Sequence, residues 1–175
     1  MLLVISCSLN PDSKSRVMAR YALDALTGRG VEAEQLDLQD WPLPMCDGES
    51  TYDDPNVKPL TQKIAAADGV LMAAPVYNFD VNAAAKNLVE LTDKAWQDQI
   101  VGFLLSAGGQ SSYMSVMGFA NSLMLDFRCL ILPRFVYATK QAFADGQLTE
   151  PLVSARIDEL VEKLIAVSSA LRNAP

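Results

Sequence analysis

MLLVISCSLNPDSKSRVMARYALDALTGRG, residues 1–30, passes through three kinds of sequence in turn. Leu2 to Ser6 is a short apolar run with β-branched members. The cluster that follows is rich in Ser, Asn, Pro and Asp. Ser15 to about Thr27 then has helical periodicity, which Gly28 and Gly30 close. Strand, loop and helix in that order form the opening unit of an alternating α/β chain.

The unit recurs along the chain. Val31 to Leu38 alternates imperfectly, as a strand at a sheet edge does. Gln39 to Val57 carries prolines, acidic residues and Gly48, and its length beyond about 12 residues marks it as a candidate lid. Asn56 to Ala67 puts Val57, Leu60 and Ile64 on one helical face, and Asp68-Gly69 stops it before the strand Val70 to Ala74. Asn82 to Lys94 is an alanine-rich helix, Ile100 to Ser106 a fully apolar strand, and Ser111 to about Asp126 a further helix. Leu130 to Leu132 and Phe135 to Ala138 flank Pro133-Arg134 as a bent last strand, and Pro151 opens a closing helix to about Leu171. Arg172 to Pro175 reads as a frayed tail. Strands that are nearly continuous apolar runs, separated by helices, specify a parallel sheet covered on both faces. The expected fold is α/β, a doubly wound five-stranded sheet in one domain spanning residues 1–175.

Composition narrows the function. A net charge of −7 disfavours nucleic acid and anionic membrane as partners. The longest apolar stretches fall well short of the roughly 20 residues of a spanning helix. Met1 to Cys7 lacks a basic leader and a cleavage site, so a cytoplasmic location is expected. Cys7, Cys46 and Cys129 are scattered without CxxC spacing, which suits free thiols and no metal site. With no histidine in the chain, hydrolytic triads are disfavoured, and chemistry falls more naturally to a bound cofactor.

In open α/β sheets ligands settle beyond the carboxyl ends of the strands, where the strand order reverses. Three loops qualify. The first, CSLNPDSKSR, offers the hydroxyls of Ser8, Ser13 and Ser15, the amide of Asn10, the charge of Arg16 and a helix N-terminus, all suited to a monophosphate. The same residues also suit an ordinary N-cap and Asx turn. GxxxxGK[ST] and GxGxxG are both missing there. The second loop, APVYNFDVN (residues 74–82), sets Tyr77 and Asn78 where they can meet a heterocycle. The third, SAGGQSS (106–112), lets backbone approach a flat ligand at Gly108 and Gly109, beside Gln110.

Taken together, ISCSLNPDSKSR, AADGVLMAAPVYNFDVNAAAKNLVEL and LLSAGGQSS resemble the NADPH-dependent FMN reductase family of flavodoxin-like proteins, in order and over most of the chain. The stretch DLQDWPLPMCDGE resembles that family's long connection after the second strand. The resemblance implies strand order 2-1-3-4-5, FMN as cofactor, and NADPH or NADH as co-substrate. It implies hydride transfer from nicotinamide to flavin, then onward to a flavin, quinone, azo compound or metal ion. Ser8, Asn10, Ser13, Ser15 and Arg16 would hold the FMN phosphate. Pro75, Val76, Tyr77 and Asn78 would line the isoalloxazine, and Gly108, Gly109 and Gln110 would close its other edge. No side chain need act as catalytic acid or base. The family's members are commonly homodimers or homotetramers with flavin near the subunit interface.

The chain departs from the family pattern at Cys7, usually glycine, at Asn10, often arginine, and at Phe79, commonly glycine. Two other readings keep the fold: a flavodoxin-type electron carrier without nicotinamide activity, and a flavin-free scaffold. Met114, Met117 and Met124, with Phe119, Leu123 and Leu125, make the helix at 111–126 apolar nearly all round, which points to a homodimer contact there.

Overall fold

In a computed structural model, which describes residues 1–172, the elements follow in the order β1 (Leu2–Ser6), α1 (Lys14–Gly28), β2 (Ala33–Asp37), α2 (Val57–Ala65), β3 (Val70–Tyr77), β4 (Asp80–Val81), α3 (Ala83–Thr92), β5 (Ile100–Ala107), α4 (Met117–Phe127), β6 (Leu130–Ile131), β7 (Val136–Thr139), β8 (Phe143–Ala144), β9 (Gln147–Leu148) and α5 (Pro151–Arg172). Arg172 ends α5, and the rest of the tail expected to fray lies outside the described residues.

β1 pairs with β2 on one side and with β3 on the other, β3 pairs with β5, and all these pairings are parallel. The expected fifth strand arrives in two pieces, β6 and β7, each pairing with β5 at a different height. The break falls at Pro133-Arg134: proline has no N–H for a ladder, and Arg134 takes a left-handed φ of 61°. β4 adds a short antiparallel hairpin to β3, and β8 with β9 forms a separate two-stranded ribbon.

The central strands are buried on both faces, and their side chains alternate between two cores. Leu3, Ile5, Val70, Met72, Val101, Phe103 and Leu105 face α2, α3 and α4. Leu2, Val4, Leu71, Ala73, Ile100 and Leu104 face α1 and α5. Each of the larger side chains contributes roughly 1.5–3 kcal/mol on burial, which is why near-continuous apolar runs fold as inner strands. At Gly102 a Cβ would come within 2.8 Å of Leu71 and 3.3 Å of Leu160, so the absence of a side chain lets α5 sit close to the sheet. β2 has only Leu36 buried, as an edge strand should.

α4 begins at Met117 and not at Ser111, because residues 111–116 turn instead. Ser112 spends its hydroxyl on that of Tyr137, 2.8 Å away, and Tyr113 packs against Phe135 and Tyr137. The long connection after β2 is pinned, not a free lid. Asn87 donates to the Pro44 carbonyl and accepts from the Cys46 amide, both at 2.8 Å, and Asn56 donates to the Pro42 carbonyl, also at 2.8 Å. No described helix is long and apolar enough to cross a membrane.

Candidate functional site

The loops after β1, β3 and β5 meet at the carboxyl edge of the sheet around a cleft of about 250 Å³. Its walls are Ser8, Asn10, Asp12, Ser13 and Lys14 from the first loop, Pro75, Val76 and Tyr77 from the second, and Ser106, Ala107 and Gly108 from the third. Lys140, just after β7, completes the rim. A separate apolar cavity of about 510 Å³ lies under the long connection, between Trp41, Leu43 and the start of α3.

The first loop is held by its own polar groups. The Ser8 hydroxyl accepts from the Asn10 amide at 3.2 Å, and the Asn10 side chain accepts from the Asp12 amide at 3.0 Å. Ser13 caps α1 by accepting from the Arg16 amide at 3.2 Å, and its hydroxyl pairs with that of Ser15 at 2.8 Å. The cap leaves other amides of the first helical turn without intrahelical partners, beside a partial positive charge.

Arg16 does not serve as an anion ligand here. Its Nε and one Nη engage both oxygens of Asp37, and the remaining N–H groups reach the Ser8, Asn10 and Pro11 carbonyls at 2.9, 2.7 and 3.0 Å. All five donors of the guanidinium are spent, and the residue is only 5 % exposed. Arg16 works from behind the loop, drawing in carbonyl oxygens that would otherwise repel a phosphate. Cys7, at the root of this loop, is fully buried, and burial, reinforced by the charge of Asp37, pushes its thiol far above the usual thiol range. The residue is therefore an inert hydrophobe, not a nucleophile. Its carbonyl accepts at 2.7 Å from the buried Asn82 side chain, which ties the first loop to the start of α3.

The second loop is a hairpin. Val76 pairs with Val81 and Tyr77 with Asp80, leaving Asn78 and Phe79 as a two-residue turn with φ of 50° and 67°. Left-handed values at both positions suit the twist of a hairpin. The departure from glycine at Phe79 therefore falls where glycine is favoured, and the left-handed backbone costs about 1–2 kcal/mol. Phe79 is 59 % exposed and Tyr77 54 %, so packing does not offset the strain. In the third loop the Tyr137 hydroxyl donates to the Gly109 carbonyl.

Of the residues read from sequence, the fold brings Ser8, Asn10, Ser13, Pro75, Val76, Tyr77 and Gly108 to one cleft. Ser15 stands behind Ser13, Arg16 behind the loop, and Asn78 at the hairpin tip, while Gly109 and Gln110 lie off the cleft wall. The site residues read from sequence did not include Asp12, Lys14, Ser106, Ala107 or Lys140. The first four lie inside or beside loops already singled out, whereas no local motif marks Lys140.

Comparison with known proteins gives the family and the fold. A family model described as NADPH-dependent FMN reductase matches residues 1–144. The chain is 25 % identical over 147 residues to an NAD(P)H-dependent FAD/FMN reductase of Geobacillus thermodenitrificans, covering 82 % of this chain and 79 % of that protein. It is 28 % identical over 180 residues to an NADPH:quinone oxidoreductase of Arabidopsis thaliana, covering 96 % and 91 % respectively. Among solved structures, the flavoenzyme NAD(P)H:(acceptor) oxidoreductase FerB from Paracoccus denitrificans superposes with a TM-score of 0.78 over 97 % of each chain, at 19 % identity, a likeness of fold.

Proposed function

The chain belongs to the NADPH-dependent FMN reductase family, and from that premise we propose that the cleft between the β1, β3 and β5 loops is where it holds FMN. The protein is an FMN-dependent NAD(P)H oxidoreductase that passes electrons to a small-molecule acceptor. The observation that carries the placement is the donor set gathered on one side of the cleft. The Ser8 and Ser13 hydroxyls, the Asn10 amide, the α1 N-terminus and Lys14 crowd one side, Pro75, Val76 and Tyr77 form another, and Lys140 enters beside the third loop. One side suits a phosphate and the other a flat apolar ring, so the residues present fit a phosphorylated flavin.

At about 250 Å³ the cleft is smaller than the roughly 300–1,000 Å³ typical of enclosing ligand pockets. It takes the phosphate end and leaves the ring on the lip formed by Tyr77 and the Gly108 backbone. Bound FMN supplies the hydride chemistry itself. The chain's own residues bind and orient. Ser13 and the α1 amides hold negative charge, Arg16 keeps the loop carbonyls turned away, and Asn82 locks the phosphate side to the ring side. Lacking histidine, the site acts through position and field, with no side chain as acid or base.

Residues 1–175 act as one flavin-binding unit, since both apolar cores are built on the same sheet. Met114, Met117, Met124 and Leu125 are all exposed along one segment, the surface expected of a homodimer contact. Size-exclusion chromatography at micromolar concentration checks it: a dimer supports the contact, and a monomer removes it. A cytoplasmic location accords with the free cysteines.

The decisive experiment records the flavin absorbance of protein reconstituted with FMN, before and after anaerobic NADPH. Uptake of FMN followed by bleaching of the visible band supports the proposal. Uptake without bleaching by either nicotinamide nucleotide would instead mark an electron carrier, and failure to bind FMN a scaffold.

A further inference from the structure

Eight of the fourteen lysines and arginines make no ion pair among the described residues, although acidic groups outnumber basic ones. Two of the eight, Lys14 and Lys140, meet on the cleft described above. They enter from different parts of the chain. Lys14 is the first residue of α1, on the same wall as the Asp12 carboxylate. Lys140 follows Thr139, which aligns with Ala107 in the pairing of β7 with β5, so its backbone emerges beside the third loop.

The segment carrying Lys140 is firmly anchored. The Thr139 hydroxyl donates to the Gln141 side chain at 2.5 Å, and the buried Ala142 accepts from the Thr149 and Glu150 amides at 2.9 and 3.3 Å. A fixed backbone therefore presents a free ammonium to a cleft whose one other full charge besides Lys14 is the carboxylate of Asp12. The first loop supplies no free guanidinium, because Asn10 stands where the family often has arginine and Arg16 is fully engaged. A dianion would then be left with neutral donors, the α1 dipole, Lys14 and the opposing Asp12.

We propose that Lys140 is the cation that recognises the cofactor's phosphate, reaching across from the β7 end of the sheet to close the cleft opposite the α1 N-terminus. This rests on the FMN reading above. It makes phosphate recognition a property of two distant segments, with neutral donors and the opposed charges of Lys14 and Asp12 on one wall and the unopposed charge of Lys140 on the other. Charge-assisted hydrogen bonds are roughly twice as strong as neutral ones. Selection of FMN over unphosphorylated riboflavin thus depends on residue 140.

The test is fluorescence titration of the apoprotein and of Lys140→Ala, Lys140→Arg and Lys14→Ala with FMN and with riboflavin, alongside urea unfolding. The wild-type protein should bind FMN at least about tenfold tighter than riboflavin. Lys140→Ala should lose about tenfold for FMN while leaving riboflavin affinity and the urea midpoint unchanged, Lys140→Arg should restore most of the loss, and Lys14→Ala should lose less. The FMN affinity of the wild type should also fall more steeply with salt than that of Lys140→Ala. Unchanged FMN affinity in Lys140→Ala overturns the inference, as does equal loss for both flavins. Equal wild-type affinity for FMN and riboflavin overturns it while leaving the flavin site standing, and a wild-type protein that binds neither overturns both.

Discussion

The loop after β1 and the turn after β3 face the same cleft and are built on opposite terms. In the first, the side chains of Ser8, Asn10, Ser13 and Arg16 are each tied to another group of the loop or to Asp37, and Arg16 is 5 % exposed. In the second, Tyr77 and Phe79 are more than half exposed, and Asn78 and Phe79 hold left-handed backbone that no side-chain packing supports. On the flavin placement proposed above, the difference follows from what each side would do. An anion is held well by donors that need not reorganise on binding. A ring that must meet a nucleotide and then an acceptor in turn needs an open approach, and there the protein tolerates local strain.

Three interventions break or sharpen this contrast. The largest effect is expected on the tied side. Arg16→Ala strands the nearly buried Asp37 carboxylate and frees three carbonyls, and should destabilise the chain by about 3–5 kcal/mol, read from urea unfolding. Asp37→Ala should cost a similar amount, and the double variant much less than the sum. Additive, small losses would mean that the loop is not organised around this pair. On the open side the sign reverses. Phe79→Gly relieves the left-handed backbone and should stabilise by up to about 1 kcal/mol, once the added freedom of the unfolded glycine chain is subtracted. FMN affinity should hold while acceptor preference changes. A destabilised Phe79→Gly would show that the exposed ring is packed in solution, by a second subunit or by a bound ring.

The smallest effect concerns the thiols. Cys7 beneath the first loop and Cys129 in the core should resist a thiol reagent at pH 8, while Cys46 reacts. Burial raises the folded pKa of both buried thiols, Cys129 to about 11 from an ordinary value of 9.0. The neutral thiols therefore favour the folded chain fully below pH 9.0, and that contribution is lost as pH rises through about 11 for Cys129 and higher still for Cys7. Urea midpoints falling above pH 9 would show this, and rapid labelling of Cys7 in the folded protein would mean that the first loop opens readily.

The alternation of strands and helices was legible because buried parallel strands need uninterrupted apolar runs, as in Leu2–Ser6 and Ile100–Ser106. The meeting of three loops around one cleft was legible for a related reason, since the order of elements places them at one edge. Less visible were the late start of α4 and the break in the last strand. Ser112 and Tyr113 look helical until Tyr137 and Phe135 are beside them, and Pro133-Arg134 reads as a bend whose outcome depends on which part of β5 each half meets.

Arg16 shows where local reading stops. Its residue type and its place beside a helix start both suggest a phosphate ligand, and nothing nearby in the chain says otherwise. Asp37 is 21 residues away and becomes its partner only because β2 pairs with β1. Lys140 is the reverse case, a surface lysine by sequence that pairing of β7 with β5 delivers to the cleft. By itself, then, the sequence determined the layered α/β fold, the family and the three loops, because apolar periodicity and turn chemistry act over a few residues. Which charges are free to meet a ligand was decided only by the tertiary structure, because a charged side chain's partners come from neighbouring strands, and strand neighbours are not chain neighbours.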